Sequence, residues 1–417
     1  MVKNILFLVN RNLYYRHYGP FIDYFLNLGH NLNLLHDYSH ARDGVKGSYF
    51  PALNSVPDFK GKISFYGIYK TKNDIISFIK ENSIDFVFSL NSYNYYDIDK
   101  VSIEPSKWVC LQHWADNFQH GPIEPFSCDH FLSYSKYWWD SFIRSDYHKD
   151  AYKLKPNIHH IGHPLNYLID KLDRDYIKKK YNIPLDKKVL TYLPIGPAPM
   201  YIFQTVYQKL WLVYRYSSNV YKQKIKYFMS LINPFLFMKK EELVDEKRII
   251  TSIANFCSNN DFISIAKTRF KSNHSNFFYE NLDHVFYDET FYPPTITELL
   301  FISDITINHF SMATFESIAM KSFTININLE PVFENFTYAL RALFDRKWID
   351  DFTIDGLGSI MSGNHFIQEF GSSDYKEFQI KNNFYDDFML KYFSGTDPQN
   401  FYNTLDKLVN GDFDDVK

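Results

Sequence analysis

The chain of 417 residues has few cysteines and no excess of positive charge. Its three cysteines, Cys110, Cys128 and Cys257, are too widely spaced for a paired zinc site and leave one thiol over from any disulfide scheme. We therefore expect a reducing compartment, which excludes a disulfide-stapled secreted protein. Lys and Arg total 45 against 48 Asp and Glu, giving a formal net charge of -3. This balance excludes a general polyanion-binding surface, so no nucleic-acid partner is expected.

The N-terminus has no long hydrophobic run. A short apolar stretch ends at Val9 and is followed at once by Asn10-Arg11-Asn12, so it is too brief for a signal peptide or a membrane span. We expect the first β-strand of a cytoplasmic protein instead. The chain also lacks a spacing of His, Asp and Cys that is typical of a metal site, and we expect neither a metal nor another cofactor.

Short apolar runs alternate with amphipathic helical patterns along the first part of the chain. Strands separated by helical stretches of about 10–15 residues indicate βαβ units, with a parallel sheet and helices on both faces. The sequence predicts the following elements: a strand from Ile5 to Val9, a helix from Pro20 to Leu28, a strand from Leu32 to Leu35, a helix from Asp74 to Lys80, strands from Asp85 to Leu90, Trp108 to Gln112 and Phe131 to Ser133, and a helix from Trp138 to Ile143.

The alternation restarts after Gly162-His163-Pro164, a turn that marks the exit from a first domain. A single amphipathic helix is predicted from Leu168 to Tyr181, and further strands and helices follow it. We therefore predict an α/β protein of two Rossmann-like domains facing a cleft. Residues 1–164 form the first domain, 165–385 the second and 386–417 a C-terminal helical segment. Ligands of such sheets bind beyond the carboxyl ends of the strands, so we expect the cleft to hold the chemistry.

One segment, residues 200–240, breaks this alternation. It contains seven basic residues and no acidic one, and Trp, Tyr and Phe residues are interleaved with them. We predict a helical insertion in the second domain. Two interpretations stay open: the segment docks on an anionic membrane or a lipid-linked acceptor, or it is a hairpin that packs its aromatic rings on the protein's own core or on a second subunit.

The strongest pattern for chemistry lies between Ser303 and Lys321, where a strand ending at Asn308 is followed by a polar turn and a helix. The opening of a helix offers unpaired N–H groups and a positive dipole end, so a phosphate can dock there. An acidic residue in such a helix can accept hydrogen bonds from ribose hydroxyls. The alternative is an ordinary helix capped by Ser311. The predicted nucleotide-binding residues of this stretch are His309, Ser311, Met312, Ala313, Thr314 and Glu316.

The chain resembles the two-domain GT-B glycosyltransferases, and within them the CDP-glycerol glycerophosphotransferase and related capsule transferases. The matching segments are Gly162-His163-Pro164, Lys178 to Pro184 leading into Val189 to Pro194, Ile265 to Arg269, and Ser303 to Lys321. Two segments depart from the family pattern: Asn308-His309-Phe310-Ser311 replaces Asp-Tyr-Ser-Ser, and Lys267-Thr268-Arg269 replaces Lys-His-Pro. Lys267 and Arg269 end a strand at the same edge, where two cations would offset diphosphate charge; the alternative is a solvated strand end.

The resemblance also implies an acceptor site in the first domain. Related transferases place a His in a Trp-His-Gly loop, and here the strand from Trp108 runs into His113 and Trp114. We predict His113 as general base, with His120 as the fallback and Asp116 orienting the imidazole. Surface or capped histidines are the alternative. By position in the fold, the loop after the first strand is expected to contact the acceptor through Arg11, Arg16, Tyr18 and Gly19.

The resemblance implies a glycosyltransferase or polyol-phosphate transferase. It would move a group from a nucleotide-activated donor to a glycan or lipid-linked acceptor hydroxyl, in synthesis of a bacterial surface polysaccharide such as capsule. For that function we expect a cytoplasmic protein that contacts the inner face of the membrane peripherally. The alternatives are a sugar-nucleotide epimerase of the UDP-N-acetylglucosamine 2-epimerase type, which has a Gly-rich turn where this chain has Phe310 to Ala313, and a non-catalytic scaffold that binds glycan or nucleotide.

Overall fold

A computed structural model of the protein divides into two compact units. The first comprises Met1–Lys171, Thr290–Thr295 and Asp386–Lys417, and the second comprises Leu172–Glu289 and Ile296–Tyr385. Each contains one parallel β-sheet with helices, so the predicted α/β class with two Rossmann-like domains is confirmed. The structure describes residues 1–10, 14–38, 56–59, 61–112, 127–143, 157–194, 246–268, 276–287, 291–309, 311–328 and 354–412.

The first unit contains a sheet of seven strands in the order β3-β2-β1-β4-β5-β6-β7. Alternate residues of the central strand β1 enter different cores, Phe7 on one face and Leu8 on the other, as expected for a parallel sheet covered on both faces. The strands are β1 Asn4–Val9, β2 Asn31–Asp37, β3 Phe65–Tyr69, β4 Phe86–Ser89, β5 Lys107–Leu111, β6 His130–Ser133 and β7 Asn157–His160.

The second unit contains a sheet of six strands in the order β10-β9-β8-β11-β12-β13. Relative to chain order, both sheets begin 3-2-1-4-5-6, the order of Rossmann folds. The order reverses between β1 and β4 in the first sheet and between β8 and β11 in the second. The strands are β8 Lys188–Tyr192, β9 Phe262–Lys267, β10 His284–Phe286, β11 Ile305–Asn308, β12 Phe323–Asn328 and β13 Gly358–Ser362.

Helices connect these strands and cover the sheets. The described α-helices are α1 Tyr15–Asn27, α2 Lys72–Glu81, α3 Lys136–Ile143, α4 Leu165–Ile169, α5 Arg174–Lys180, α6 Glu246–Asn260, α7 Asn276–Glu280, α8 Thr295–Ile302, α9 Ala313–Ala319, α10 Gly363–Glu369, α11 Asn382–Phe393 and α12 Gln399–Asn410. The predicted insertion, residues 200–240, lies outside the described residues.

Two helices differ from the sequence prediction. Helix α1 begins at Tyr15, five residues before the predicted start at Pro20, because buried Tyr15 and Tyr18 extend its apolar face and Pro20 is accommodated inside the helix. The single helix predicted from Leu168 to Tyr181 is two helices. Asp173 has an extended backbone, and its carboxylate accepts a hydrogen bond from the Tyr176 N–H at 2.8 Å. Asp173 is therefore the N-cap of a separate helix, α5.

The C-terminal helix α12 belongs to the core of the first unit. Its residues Phe401, Leu405, Leu408 and Val409 are buried in the same apolar cluster as strand β1. The Tyr24 hydroxyl of α1 also donates a 2.6 Å hydrogen bond to the Asp406 carboxylate. The last described helix therefore completes the core that the first strand begins.

Candidate functional site

The carboxyl edge of the second sheet is polar where the strand order reverses. Ligands of open α/β sheets bind at such a point. Tyr192 ends β8, Asn308 ends β11, and His309 follows it directly. The Tyr192 hydroxyl oxygen lies 3.3 Å from His309 Nε2, and all three side chains are buried. This edge therefore holds enclosed polar groups in the place where a ligand of this fold binds.

Asn308 links β11 to the turn that follows. Its Oδ1 accepts the Ser311 N–H at 3.2 Å, which fixes the orientation of the amide. Thr314 Oγ1 lies 3.2 Å from the same oxygen and 2.9 Å from Oδ1 of Asn326, the neighbouring residue on β12. Because a hydroxyl has one hydrogen, Thr314 donates to one of these oxygens at a time. Its hydroxyl therefore links the start of the following helix to β11 or to β12, one strand at a time.

The amide nitrogen of Asn308 is a buried donor that has no hydrogen-bond partner among the described residues. An unsatisfied buried donor costs about 1–3 kcal/mol, so an acceptor from a ligand or water would stabilise this position. Asn308 and Asn326 were not among the residues predicted from the sequence. The available signal was their equivalent placement in two successive apolar strands of a parallel sheet.

Glu316 lies in the first turn of α9 and is only 2% exposed. Burying a carboxylate is unfavourable unless polar groups surround it, and Thr314 and Ser317 are buried on the same helix. Ser311 does not cap this helix, because Met312 occupies the cap position and makes no side-chain cap hydrogen bond. Ala313, the first residue of α9, is buried as well.

His309 is a neutral group in this structure. Burial lowers the pKa of its imidazole to about 4, so the ring carries no charge at pH 7. It can therefore donate or accept a hydrogen bond at the edge of the sheet, but it does not offset the charge of a phosphate.

Lys267 is the last residue of β9, at the same edge of the second sheet. Its ammonium group donates to the carbonyl oxygen of Thr268 at 2.9 Å, and the side chain is half-buried. Arg269, the second predicted cation, lies outside the described residues. Lys267 thus supplies positive charge at the edge that also contains Asn308.

The predicted catalytic residues of the first unit, His113, Asp116 and His120, lie outside the described residues, as does Arg11. The last described residue before them is Gln112, which is buried directly after β5. Its Oε1 accepts hydrogen bonds from Ser133 Oγ at 3.0 Å and from the Tyr134 N–H at 2.8 Å. These bonds anchor the chain at the point where His113 follows.

The three remaining residues of the predicted acceptor loop lie within helix α1. Tyr18 is wholly buried, and its hydroxyl donates to Leu8 O and accepts the Leu90 N–H, both at 2.9 Å. Gly19 faces the ring of Tyr292, since a Cβ on it would lie 2.0 Å from a ring carbon. Arg16 is half-buried one turn earlier. Tyr18 thus holds α1 on the sheet, and Gly19 allows the helix to pack closely against Tyr292.

Among the described residues, no group of three or more His, Cys, Asp or Glu side chains is placed to hold a metal ion. Within the same part of the chain, no helix has the length and apolar character needed to cross a bilayer.

The fold has counterparts among solved structures, although no protein-family model and no curated protein matches the sequence. A variant of the wall teichoic acid polymerase TagF matches with a TM-score of 0.59 and 15% identity, over 98% of this chain and 88% of that chain. An assigned UDP-N-acetylglucosamine 2-epimerase from Listeria monocytogenes matches with a TM-score of 0.53 and 10% identity, over 100% of this chain and 98% of that chain. MnaA from S. aureus, solved with UDP, matches with a TM-score of 0.51 and 10% identity, over 98% of this chain and 96% of that chain.

The chain therefore has a GT-B-like fold of two Rossmann-like domains. The resemblance predicted from the sequence is confirmed at the level of the fold, because these neighbours match nearly the whole chain.

Proposed function

We propose that the protein is a transferase that moves a sugar or a polyol phosphate from a nucleotide-activated donor to an acceptor hydroxyl. The observation that supports this most is the buried carboxylate of Glu316, in the first turn of the helix that follows β11 at the strand-order reversal. A buried carboxylate at this edge can accept hydrogen bonds from the ribose hydroxyls of a nucleotide.

Neighbouring groups at the same edge suit the rest of a nucleotide donor. Lys267 offers a cation for a diphosphate, and the Asn308 amide, which has no acceptor among the described residues, offers a neutral donor. A protein of similar fold, MnaA, has been solved with UDP. We propose binding of the donor in the second unit without a metal, with the phosphate charge offset by protein cations.

The acceptor side of the proposal depends on the first unit. His113 would remove the proton of the acceptor hydroxyl in an inverting reaction, and Asp116 would orient its ring. We further propose a glycan or lipid-linked acceptor of a bacterial surface polysaccharide, met at the cytoplasmic face of the membrane.

A second candidate is a sugar-nucleotide epimerase. The observation in its favour is the match to the Listeria monocytogenes protein over 100% of this chain and 98% of that one. An epimerase would bind the same class of nucleotide but need no acceptor.

Incubation of the 417-residue chain with a panel of nucleotide-activated sugars and polyols separates these functions. Nucleotide release that depends on an added acceptor is expected for the proposed transferase. Conversion of one nucleotide sugar into its epimer, with no acceptor present, would favour the second candidate. Binding of nucleotides with neither reaction would reject both and leave a non-catalytic binding protein.

A further inference from the structure

Strand β3 forms an outer edge of the first sheet. It pairs with β2 on one side, and no described strand lies on its other side. Three of its five residues, Phe65, Tyr66 and Ile68, are 41–43% exposed. The other outermost strands of the two described sheets, β7, β10 and β13, carry no large apolar side chain exposed to this extent. Exposed apolar side chains are thus concentrated on one sheet edge.

The residues of β3 do not protect this edge from pairing with another strand. The strand reads Phe65-Tyr66-Gly67-Ile68-Tyr69 and contains no charged residue and no proline. Natural proteins use such residues, bulges or a covering element to keep edge strands from pairing with other chains. Strand β3 therefore keeps an open side on which a further strand can add.

The backbone of β3 determines which groups are available on the open side. The Ser64 N–H, directly before the strand, donates to a carbonyl oxygen of β2 at 2.8 Å. Because the backbone groups of alternate residues point to the same side of a strand, those of Phe65 and Gly67 point away from β2. The Tyr69 carbonyl is already used, since it accepts the Tyr38 N–H at 2.8 Å. Gly67, the middle residue, thus presents both its N–H and its C=O outward.

The side chains of β3 are complementary to a second copy of the same strand. In an antiparallel pair centred on Gly67, the two Gly67 residues exchange both backbone hydrogen bonds, and Tyr66 of each copy lies opposite Ile68 of the other. Phe65 lies opposite Tyr69 in the same register. Aromatic–aromatic and aromatic–β-branched pairs of this kind stabilise a sheet. Each side chain of the strand therefore lies opposite an apolar or aromatic one.

We propose that two copies of this chain pair through β3 and join their first sheets around a two-fold axis at Gly67. A two-fold dimer uses the same surface on both copies, and the nearly palindromic order of the strand makes that surface self-complementary. Because the paired strands are antiparallel, the carboxyl edges of the two sheets point in opposite directions, so the pairing itself covers neither. The inference is independent of the proposed function.

The pairing is expected to be weak and to depend on protein concentration. Two strands of five residues bury less than the roughly 1,200–2,000 Å² of a standard interface. Exposed Lys62 and Lys70 flank the strand, and like charges at each end of the pair weaken it further. We therefore expect a dissociation constant of about 10–100 µM rather than a permanent dimer.

Analytical ultracentrifugation of the 417-residue chain over about 1–200 µM tests the association. We expect a reversible monomer–dimer equilibrium, with a dissociation constant raised about tenfold or more by Ile68→Lys and by Tyr66→Lys, because each places a charge in the pairing. Val101→Lys is the matched control, since Val101 is 78% exposed in the same unit but belongs to another element. Thermal unfolding confirms that each variant is folded.

Disulfide trapping tests the register. It uses a Cys128→Ser background, because Cys128 is the half-buried native thiol and the other two are buried. Tyr66→Cys and Ile68→Cys chains are treated with oxidised glutathione separately and as an equimolar mixture. Opposite Cα atoms at a pair without hydrogen bonds lie about 4.5 Å apart, within reach of a disulfide. We expect cross-linked dimers in the mixture and few in the separate samples.

The proposal is overturned by a monomer at every concentration, by a dimer that neither lysine variant weakens, or by larger oligomers without a dimer. It is also overturned if the mixture gives no more cross-linked dimer than the separate chains. A dimer that both lysine variants weaken, and that is trapped in the mixture, supports the pairing whether or not the protein proves to be a transferase.

Discussion

Glu316 is the residue on which the proposed donor site depends most. We expect Glu316→Ala to weaken nucleotide binding roughly tenfold or more, because a hydrogen bond to a charged group contributes about 1.5–3 kcal/mol. Isothermal titration with the donor that the panel identifies measures this. Glu377→Ala, an exposed acid in the same unit, is the control. Equal affinity in wild type and folded Glu316→Ala or Glu316→Gln protein would remove Glu316 from the site.

His309 predicts a pH dependence of stability. Its pKa is about 4 in the folded protein, against about 6.5 in the unfolded chain, so the unfolded state binds more protons between these values. The contribution of the neutral ring is complete above pH 6.5 and is lost as the pH falls towards 4. Between pH 7 and 5 the free energy of unfolding should fall by roughly 2 kcal/mol more in wild type than in His309→Gln. Denaturant titrations at the two pH values measure the free energy of unfolding of both proteins. An equal decrease in wild type and His309→Gln would contradict the prediction.

His113 was predicted from its place after β5, and the anchoring of Gln112 supports testing it first. We expect His113→Ala to lower turnover by about 10²–10⁴-fold, the usual effect of losing a general base, with donor affinity little altered. The matched substitution is His120→Ala. If that variant loses turnover and His113→Ala does not, His120 takes the catalytic role.

At the scale of elements, the close packing of α1 makes a specific prediction. Gly19→Ala would place a methyl group against the ring of Tyr292, whose hydroxyl donates to Asp23 at 2.6 Å. Overpacking costs about 1–3 kcal/mol, which exceeds the gain of about 1 kcal/mol from replacing a helical glycine. Thermal unfolding should show a net loss of stability. In the Gly19→Ala protein, a second substitution Tyr292→Leu should recover part of this stability. If the two substitutions instead reduce stability by the sum of their separate effects, Gly19 and Tyr292 are not in contact.

The sequence predicts the buried strands well and the surface elements less well. Strand β11 ends at Asn308 as predicted, because the alternating apolar residues Ile305 and Ile307 mark a short strand that stops where the polar turn begins. Edge strand β3 was not predicted: Phe65, Tyr66 and Ile68 are all exposed, so the strand shows no alternation of buried and exposed residues. The start of α1 depends on tertiary packing that a local pattern ending at Pro20 does not contain.

The candidate site was predictable to the extent that it follows chain order. Glu316 and His309 could be placed because a strand, a turn and a helix succeed one another. Asn308 and Asn326 could not be assigned roles, because their importance comes from strands that are neighbours in the sheet. Spatial pairing of this kind is absent from a single-sequence pattern.

At the scale of the whole molecule, the basic and aromatic segment 200–240 predicts membrane binding. Each cation near an anionic leaflet contributes about 1 kcal/mol, and Trp and Tyr favour the bilayer interface. We expect flotation with liposomes to increase with anionic lipid content, to decrease with salt, and to be lost when Lys222, Lys224 and Lys226 are changed to Glu. Equal recovery with neutral vesicles would leave only packing on the protein itself or on a second subunit.

The position of α12 has a consequence for the order in which the protein can mature during synthesis. The core that strand β1 begins includes Phe401 and Leu405, which the ribosome adds only after the last residue of the second unit, Tyr385. Part of the apolar surface of the N-terminal sheet therefore stays uncovered until all of the second unit has been translated. A chaperone that binds nascent chains would find its substrate in the first unit, even though that unit emerges first.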